Sequence, residues 1–263
     1  MSEQHVIPTA VARASNLELS VQLYSVRDHV SKDLPGTLTR LADLGFRHVE
    51  PYNFVTLAGD LRSALDATGL KAPSGHAPLL RENQHVIFEA AAALGISTVI
   101  EPLVPADQWA TAEQVASTAR AVNAAAAIGA EHGIRVGYHN HEWELRTRLN
   151  GTTALEVLVE QLDPEVVLEV DTYWAAVGGE DPVALLDRLG DRVRLVHLKD
   201  GPISRDTAAQ QPAGQGAMNT EAVVQAAVRN GVEAGVIEFD AYSGDIFEAL
   251  GSSLDYLEGG FVR

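Results

Sequence analysis

The chain contains no cysteine, which excludes a disulfide framework, a thiolate metal site and a cysteine nucleophile. Any metal must be held by histidine, carboxylate, amide or water. Basic residues are also scarce. Lys and Arg number 19 against 36 Asp and Glu, a formal net charge of −17, and such a chain is repelled by polyanions such as DNA and by anionic membrane surfaces. A small anionic substrate is not excluded, because local charge near Lys199 or Arg146 can differ from the average. No apolar run is long enough to cross a bilayer, and residues 1–20 lack the apolar stretch of a signal peptide. The expectation is a cytoplasmic protein with neither a nucleic-acid nor a membrane partner. Missing too are a G-x-G-x-x-G turn after a strand and a P-loop, which removes the usual nucleotide chemistry of doubly wound sheets.

What is present is a large apolar fraction, 46% of 263 residues, enough for one large core and compatible with a single α/β barrel or with two small domains. From Leu17 onward short apolar runs alternate with longer amphipathic segments, a βα rhythm. Strands are predicted near Leu19–Tyr24, His48–Tyr52, Lys71–Gly75, Thr98–Pro102, Arg135–Asn140, Val166–Asp171, Val193–Lys199 and Ala234–Phe239. Between them Gly45, Gly69, Gly95, Gly133, Gly190 and Gly231 sit where helix C-caps are expected. Asp181-Pro182 reads as an N-cap followed by proline at the first helical position, and Ser243 or Asp245 opens the last helix. Eight such units predict a single-domain α/β fold, a (β/α)8 TIM barrel over residues 17–263, preceded by an irregular arm over residues 1–16. An open doubly wound sheet is the alternative.

The run Val136-Gly137-Tyr138-His139-Asn140-His141-Glu142-Trp143-Glu144 reads as a strand that leaves a buried sheet and delivers metal-binding and proton-transfer groups to its C-terminal end. Alternate side chains share a face in a strand, so Gly137, His139 and His141 point one way and Tyr138 and Asn140 the other. Paired histidines also occur in satisfied polar networks, so the run alone leaves both roles open. Barrel active sites form at C-terminal strand ends, and the ends here are polar: Gln22, Glu50, His76, Glu101, then the histidine run. Further on, Asp171 shares a face with Glu169, His197 with Lys199, and Glu238 with Asp240. Four consecutive strands thus bring His139, Asp171, His197 and Glu238 to one rim. Two imidazoles and two carboxylates suit Mn²⁺, Zn²⁺, Co²⁺, Fe²⁺ or Mg²⁺ with positions left for substrate oxygens, and imidazole favours a transition metal over Mg²⁺. The alternative for each residue alone is a separately satisfied structural polar group.

These motifs resemble the sugar phosphate isomerase/epimerase superfamily of xylose-isomerase-like TIM barrels, which includes ketose 3-epimerases, inosose dehydratases and 3-keto-sugar epimerases and lyases. The resemblance runs from about Ser20 to Leu257. It is carried by Gln22-Leu23-Tyr24-Ser25, Gly45-Phe46-Arg47-His48-Val49-Glu50, Ser74-Gly75-His76, Tyr138-His139-Asn140-His141, Leu168-Glu169-Val170-Asp171-Thr172-Tyr173-Trp174, His197-Leu198-Lys199-Asp200 and Ile237-Glu238. It implies a divalent metal on a carboxylate of the fifth strand, Asp of the sixth, His of the seventh and Glu of the eighth. Asp171, His197 and Glu238 match the last three. The fifth strand departs, reading His139-Asn140-His141 where many relatives read Glu-Asn-His. Either His139 replaces the carboxylate, the preferred reading, or three protein ligands are completed by Glu144 or water.

The resemblance implies a divalent-metal-dependent isomerase or epimerase, or a lyase or dehydratase, acting on a keto-sugar or cyclitol in carbohydrate metabolism through an enediolate. Mn²⁺ is the first choice of metal. Glu238, His141 and Glu144 are the candidate proton-transfer residues, with His139 beside them. Glu50, His76, Glu101, Trp174 and Lys199 are the candidate substrate contacts, Lys199 through an oxygen or phosphate, and Trp174 and Trp143 are candidate walls for the ring or ordinary core. Loss of one carboxylate disfavours a two-glutamate epimerisation and raises the case for elimination next to a ketone. Two other classes remain open: a metal-dependent phosphoesterase, which the net charge opposes, and a non-enzymatic sugar-binding subunit of a larger complex. Dimers and tetramers are common among such proteins, so a homo-oligomer is the family expectation.

Overall fold

The computed structural model describes residues 17–261, so the arm expected over residues 1–16 lies outside the described residues. Eight parallel strands form one sheet: β1 (Glu18–Gln22), β2 (His48–Glu50), β3 (Ser74–His76), β4 (Thr98–Glu101), β5 (Arg135–His139), β6 (Val167–Asp171), β7 (Val193–Leu198) and β8 (Ala234–Ile237). Neighbours in sequence pair throughout except β2 and β3, and β8 returns to β1. The gap between β2 and β3 is bridged at His48–Lys71 and Tyr52–His76, with His76 N–H donating to Pro51 O at 2.8 Å and Asn53 N–H to His76 O at 2.9 Å. The third strand starts later than predicted, at Ser74 rather than Lys71, because Pro73 has no N–H to give to a ladder.

One helix after each strand covers the barrel: α1 (Leu34–Asp43), α2 (Ala58–Thr68), α3 (Gln84–Leu94), α4 (Ala112–Glu131), α5 (Ala154–Val159), α6 (Pro182–Leu189), α7 (Thr220–Arg229) and α8 (Ile246–Glu258). Their starts follow the sequence. Asp181 accepts from Val183 N–H and Ala184 N–H ahead of Pro182, and Asp245, not Ser243, caps α8. The six glycines predicted as caps all have positive φ. No helix among the described residues is long and apolar enough to cross a membrane.

Strand parity divides the apolar residues into two groups. Outward residues such as Val99, Val136, Tyr138, Leu168, Val170, Val196 and Leu198 pack against the helices in one large cluster. Inward residues Ile100, Leu195, Ala234 and Val236 form a small separate plug inside the barrel. Above this plug the inward positions turn polar: Gln22, Glu50, His76, His139, Glu169, Asp171, His197, Lys199 and Glu238, all buried. A register shift between Leu168 and Glu169 advances β7 by one residue, setting Glu169 beside Leu195 and Asp171 beside His197.

The loop after β7 is tied down by one outward carboxylate. Asp200 accepts from Gly201 N–H, Gly214 N–H, Gly216 N–H and Met218 N–H at 2.8 to 3.0 Å. On β5, Gly137 lets β4 and β6 approach: a Cβ there would lie 2.4 Å from Ile100 Cδ1 and 3.2 Å from Val167 O. Gly137→Ala is expected to cost about 1–3 kcal/mol by overpacking. Ile100→Val, which removes the clashing methyl, is expected to recover part of that loss in the double variant. Urea unfolding of the three variants checks both.

Candidate active site

The polar layer consists of two linked groups. On one side Glu50 and Glu169 face three imidazoles. His76 Nε2 lies 2.5 Å from Glu169 Oε2 and 3.2 Å from Glu50 Oε1. His139 Nδ1 lies 3.0 Å from Glu169 Oε2, and His197 Nε2 lies 2.9 Å from Glu50 Oε1 and 3.2 Å from Glu169 Oε2. Gln22 and Ser74 also donate to Glu50. Burial opposes charge on all of these groups, but their mutual attraction wins for most. Glu169 is held at about 2 and His76 is pushed up to about 10, burial being outweighed in each by the opposite charges alongside. Glu50 is held low by His76 and His197 against its burial. His139 goes the other way: burial and the His197 charge keep it neutral.

On the other side a lysine gathers carboxylates. Lys199 Nζ lies 2.8 Å from Asp171 Oδ2, 2.7 Å from Glu238 Oε2 and 2.9 Å from Asp240 Oδ2. The Asp240 contact has hydrogen-bond geometry, and the other two are close ion pairs. Burial opposes the charge of Lys199, yet Asp171, Asp240 and Glu238 raise its pKa well above the ordinary value. Glu238 is held well below the usual carboxylate range by Lys199 and His197, against its burial. Asp171 rises to about 6 because burial outweighs the same two cations. Its carboxylate also caps the short helix after β6, accepting from Trp174 N–H at 2.8 Å. The two groups meet at His197, whose Nδ1 lies 2.8 Å from Glu238 Oε2.

Above this layer opens a cavity of about 270 Å³, at the small end of ligand pockets, lined by His76, His139, His141, Glu238 and Asp240 together with Arg81, Tyr24, Tyr52 and Asn53. The Tyr24 and Tyr52 rings meet edge to face at 5.3 Å. His141 stacks flat on Trp143, centroids 4.4 Å apart. Burial and Lys199 lower its pKa to about 3, and its buried Nδ1 has no hydrogen-bond partner.

Of the residues predicted for the site, His76, His139, His141 and Glu238 reach this cavity, while Glu50, Asp171, His197 and Lys199 lie beneath it. Trp174 is buried with its ring 5.7 Å from Lys199 Nζ, and Trp143 backs His141 instead of lining the cavity. Two carboxylates fall on the other side of the sheet. Glu101 follows the inward Ile100, so it points outward, accepting from Leu80 N–H and Leu103 N–H at 2.9 and 3.2 Å. Glu144 lies behind β5, where it accepts from Tyr138 Oη–H at 2.8 Å and His141 N–H at 2.9 Å. Both therefore hold loops or strand ends in place and do not face the cavity. Sequence reading passed over Glu169, Asp240, Tyr24, Tyr52 and Asn53. Parity with Asp171 and with Glu238 marked the first two, Tyr24 and Tyr52 stood at the ends of the first two predicted strands without being assigned a role, and nothing local marked Asn53.

Burial raises the Glu144 pKa to about 8. The folded protein therefore keeps this proton between the unfolded value of 4.5 and about 8, so stability falls as pH rises through that window. Glu144→Gln, whose carbonyl can still accept from His141 N–H while its amide donates to Tyr138 Oη, is expected to remove a slope of about 1 kcal/mol per pH unit. Urea unfolding at several pH values measures it; an unchanged slope would place the titration elsewhere.

Residues 38–257 match the family model described as the xylose isomerase-like TIM barrel. A sugar phosphate isomerase/epimerase from Parabacteroides distasonis superposes with a TM-score of 0.79 at 26% identity, covering 98% of this chain and 100% of that one. Inosose dehydratase 2 of Bacillus cereus is 31% identical over 140 residues, 51% of this chain and 41% of the relative. Inosose dehydratase of Geobacillus kaustophilus is 43% identical over 77 residues, 29% of this chain and 24% of the relative. The chain thus spans less than half the length of these curated relatives. With the match covering most of its length and the polar layer at the C-terminal strand ends, the chain belongs to the xylose isomerase-like TIM barrel family.

Proposed function

We propose that this chain is an isomerase, epimerase or dehydratase acting on a keto-sugar or cyclitol through an enediolate. One observation carries the reading: a cavity sized for a single small ring places an ionised carboxylate, Glu238, and a neutral imidazole, His141, above a dense buried array of cations and carboxylates. The relatives named for sugar phosphate isomerisation or epimerisation and for inosose dehydration support the substrate class.

The ring enters this cavity with its hydroxyls toward Glu238 and Asp240 and an apolar face toward Tyr24 and Tyr52. Glu238 takes the proton from the carbon next to the carbonyl. Held low by Lys199 and His197, it is a weak base, so the carbonyl must be strongly polarised for the transfer to proceed. A divalent ion on one of the two buried clusters that share His197, either His76, His139, Glu169 and His197 or Asp171, His197 and Glu238, would supply that polarisation. His141, neutral and braced by Trp143, accepts or returns a proton across the ring. Reprotonation of the same carbon on the opposite face gives an epimer, reprotonation of the neighbouring carbon an isomer, and loss of a β-oxygen a dehydrated product. A single glutamate and an imidazole suit elimination as well as they suit transfer.

Incubation with keto-sugars and inososes in D₂O is expected to show, by NMR, exchange of one carbon-bound proton that chelation removes and a divalent ion restores. Absence of exchange and turnover with every candidate would refute the reading. Glu238→Gln is expected to slow exchange about 10²- to 10⁴-fold with the fold intact; near-normal exchange would take Glu238 out of the proton-transfer role.

A further inference from the structure

His197 sets two cation sites side by side, one on each ring nitrogen. Asp171 Oδ2, His197 Nδ1 and Glu238 Oε2 lie close enough to share one ion. Both of those oxygens form close ion pairs with the ammonium of Lys199, at 2.8 and 2.7 Å. A divalent ion placed there would meet a buried positive charge on the same oxygens, and like charges in a poorly solvated interior repel strongly.

The second site faces Nε2. His76 Nε2, His139 Nδ1 and His197 Nε2 all converge on Glu169 Oε2, at 2.5, 3.0 and 3.2 Å. That oxygen takes hydrogen bonds from His76 and His139, while His197 Nε2 bonds to Glu50 Oε1 at 2.9 Å, so a second carboxylate stands at the edge of this cluster. The other oxygen, Glu169 Oε1, is buried with no hydrogen-bond partner. The four side chains are buried and their donor atoms lie within 4.8 Å of one another. At Zn–N and Zn–O bonds of about 2.0–2.2 Å, tetrahedral ligand atoms stand about 3.3–3.5 Å apart, so a slight outward movement would seat an ion between them. His197 is also held from behind, since Nδ1 faces Glu238 Oε2 at 2.8 Å, the carboxylate–histidine arrangement that aims the opposite nitrogen at a metal. His76 and His139 line the cavity while Glu169 and His197 lie beneath it, so an ion here would be reached from the mouth.

We propose that the metal ion of this chain is held by His76, His139, His197 and Glu169, with Lys199 serving as the fixed cation of the neighbouring Asp171–Glu238 position. Three imidazoles with one carboxylate suit Zn²⁺, Co²⁺ or Fe²⁺ and are poor ligands for Mg²⁺, which takes oxygen donors. The assignment rests on the proposed function only for the use made of the ion, so its test reads occupancy.

The chelator-treated protein is titrated with Zn²⁺ and with Co²⁺ by calorimetry, and the coordination of the loaded wild type is determined by X-ray absorption. Three imidazole ligands are expected. Affinity should fall at least about 100-fold in His76→Ala and Glu169→Gln and change by less than about tenfold in Asp171→Asn. If the first two variants do not fold, the imidazole count in the wild type decides. One imidazole, or loss of binding in Asp171→Asn with retention in His76→Ala, would overturn the assignment while leaving the proposed reaction standing. Failure to bind either ion would also overturn it. Three imidazoles in a protein that exchanges no substrate proton would leave the site standing and remove the reaction.

Discussion

The Lys199 ammonium, ion-paired with Asp171, Glu238 and Asp240 inside the mouth of the barrel, is the interaction on which the rest of the polar layer depends. Carboxylates buried this deeply are costly unless a cation stays with them. With Lys199 in place, Glu238 remains ionised at the cavity wall and turns one oxygen to His197. The imidazole is thereby fixed with its other nitrogen toward Glu50 and Glu169, where His76 and His139 complete a second neutralised group. Remove the lysine and three negative charges face one another beside that group.

The scaffold separates chemistry from support by strand parity. Carboxylates on inward positions, Glu50, Glu169, Asp171 and Glu238, meet imidazole or ammonium. Carboxylates on outward positions or behind the strands, Glu101, Glu144 and Asp200, meet backbone N–H groups and hold the loops that shape the mouth. The site is thus rigid from both sides of the sheet, as catalytic geometry requires. The fifth strand carries His139 where the resemblance implied a carboxylate, and the inward Glu169 on the next strand supplies the negative charge beside it.

Much of this was legible in the sequence. The eight strands followed from apolar runs between capping glycines, and the inward direction of His139, Asp171, His197 and Glu238 followed from alternation. Glu101 and Glu144 were misread for one reason: closeness to a strand end was taken as exposure to the mouth, although Ile100 and His139 fix a parity that turns Glu101 outward, and the short helix after β5 carries Glu144 behind Tyr138. Glu169 was visible on the face of Asp171 and inside the quoted motif, but Asp171 was taken as the ligand of that strand. The three-carboxylate grip of Lys199 was beyond reach, since it joins the ends of three strands through a long side chain whose direction only the closed barrel sets.

The central claim is that Lys199 is the counter-ion holding the layer together. Urea unfolding of chelated Lys199→Met, alone and combined with Asp171→Asn and Glu238→Gln, tests it most directly. The account predicts a loss of about 3–5 kcal/mol for the single variant, because breaking a buried ion pair strands its partners, and recovery of most of that loss in the triple variant. A single variant as stable as the wild type would contradict it.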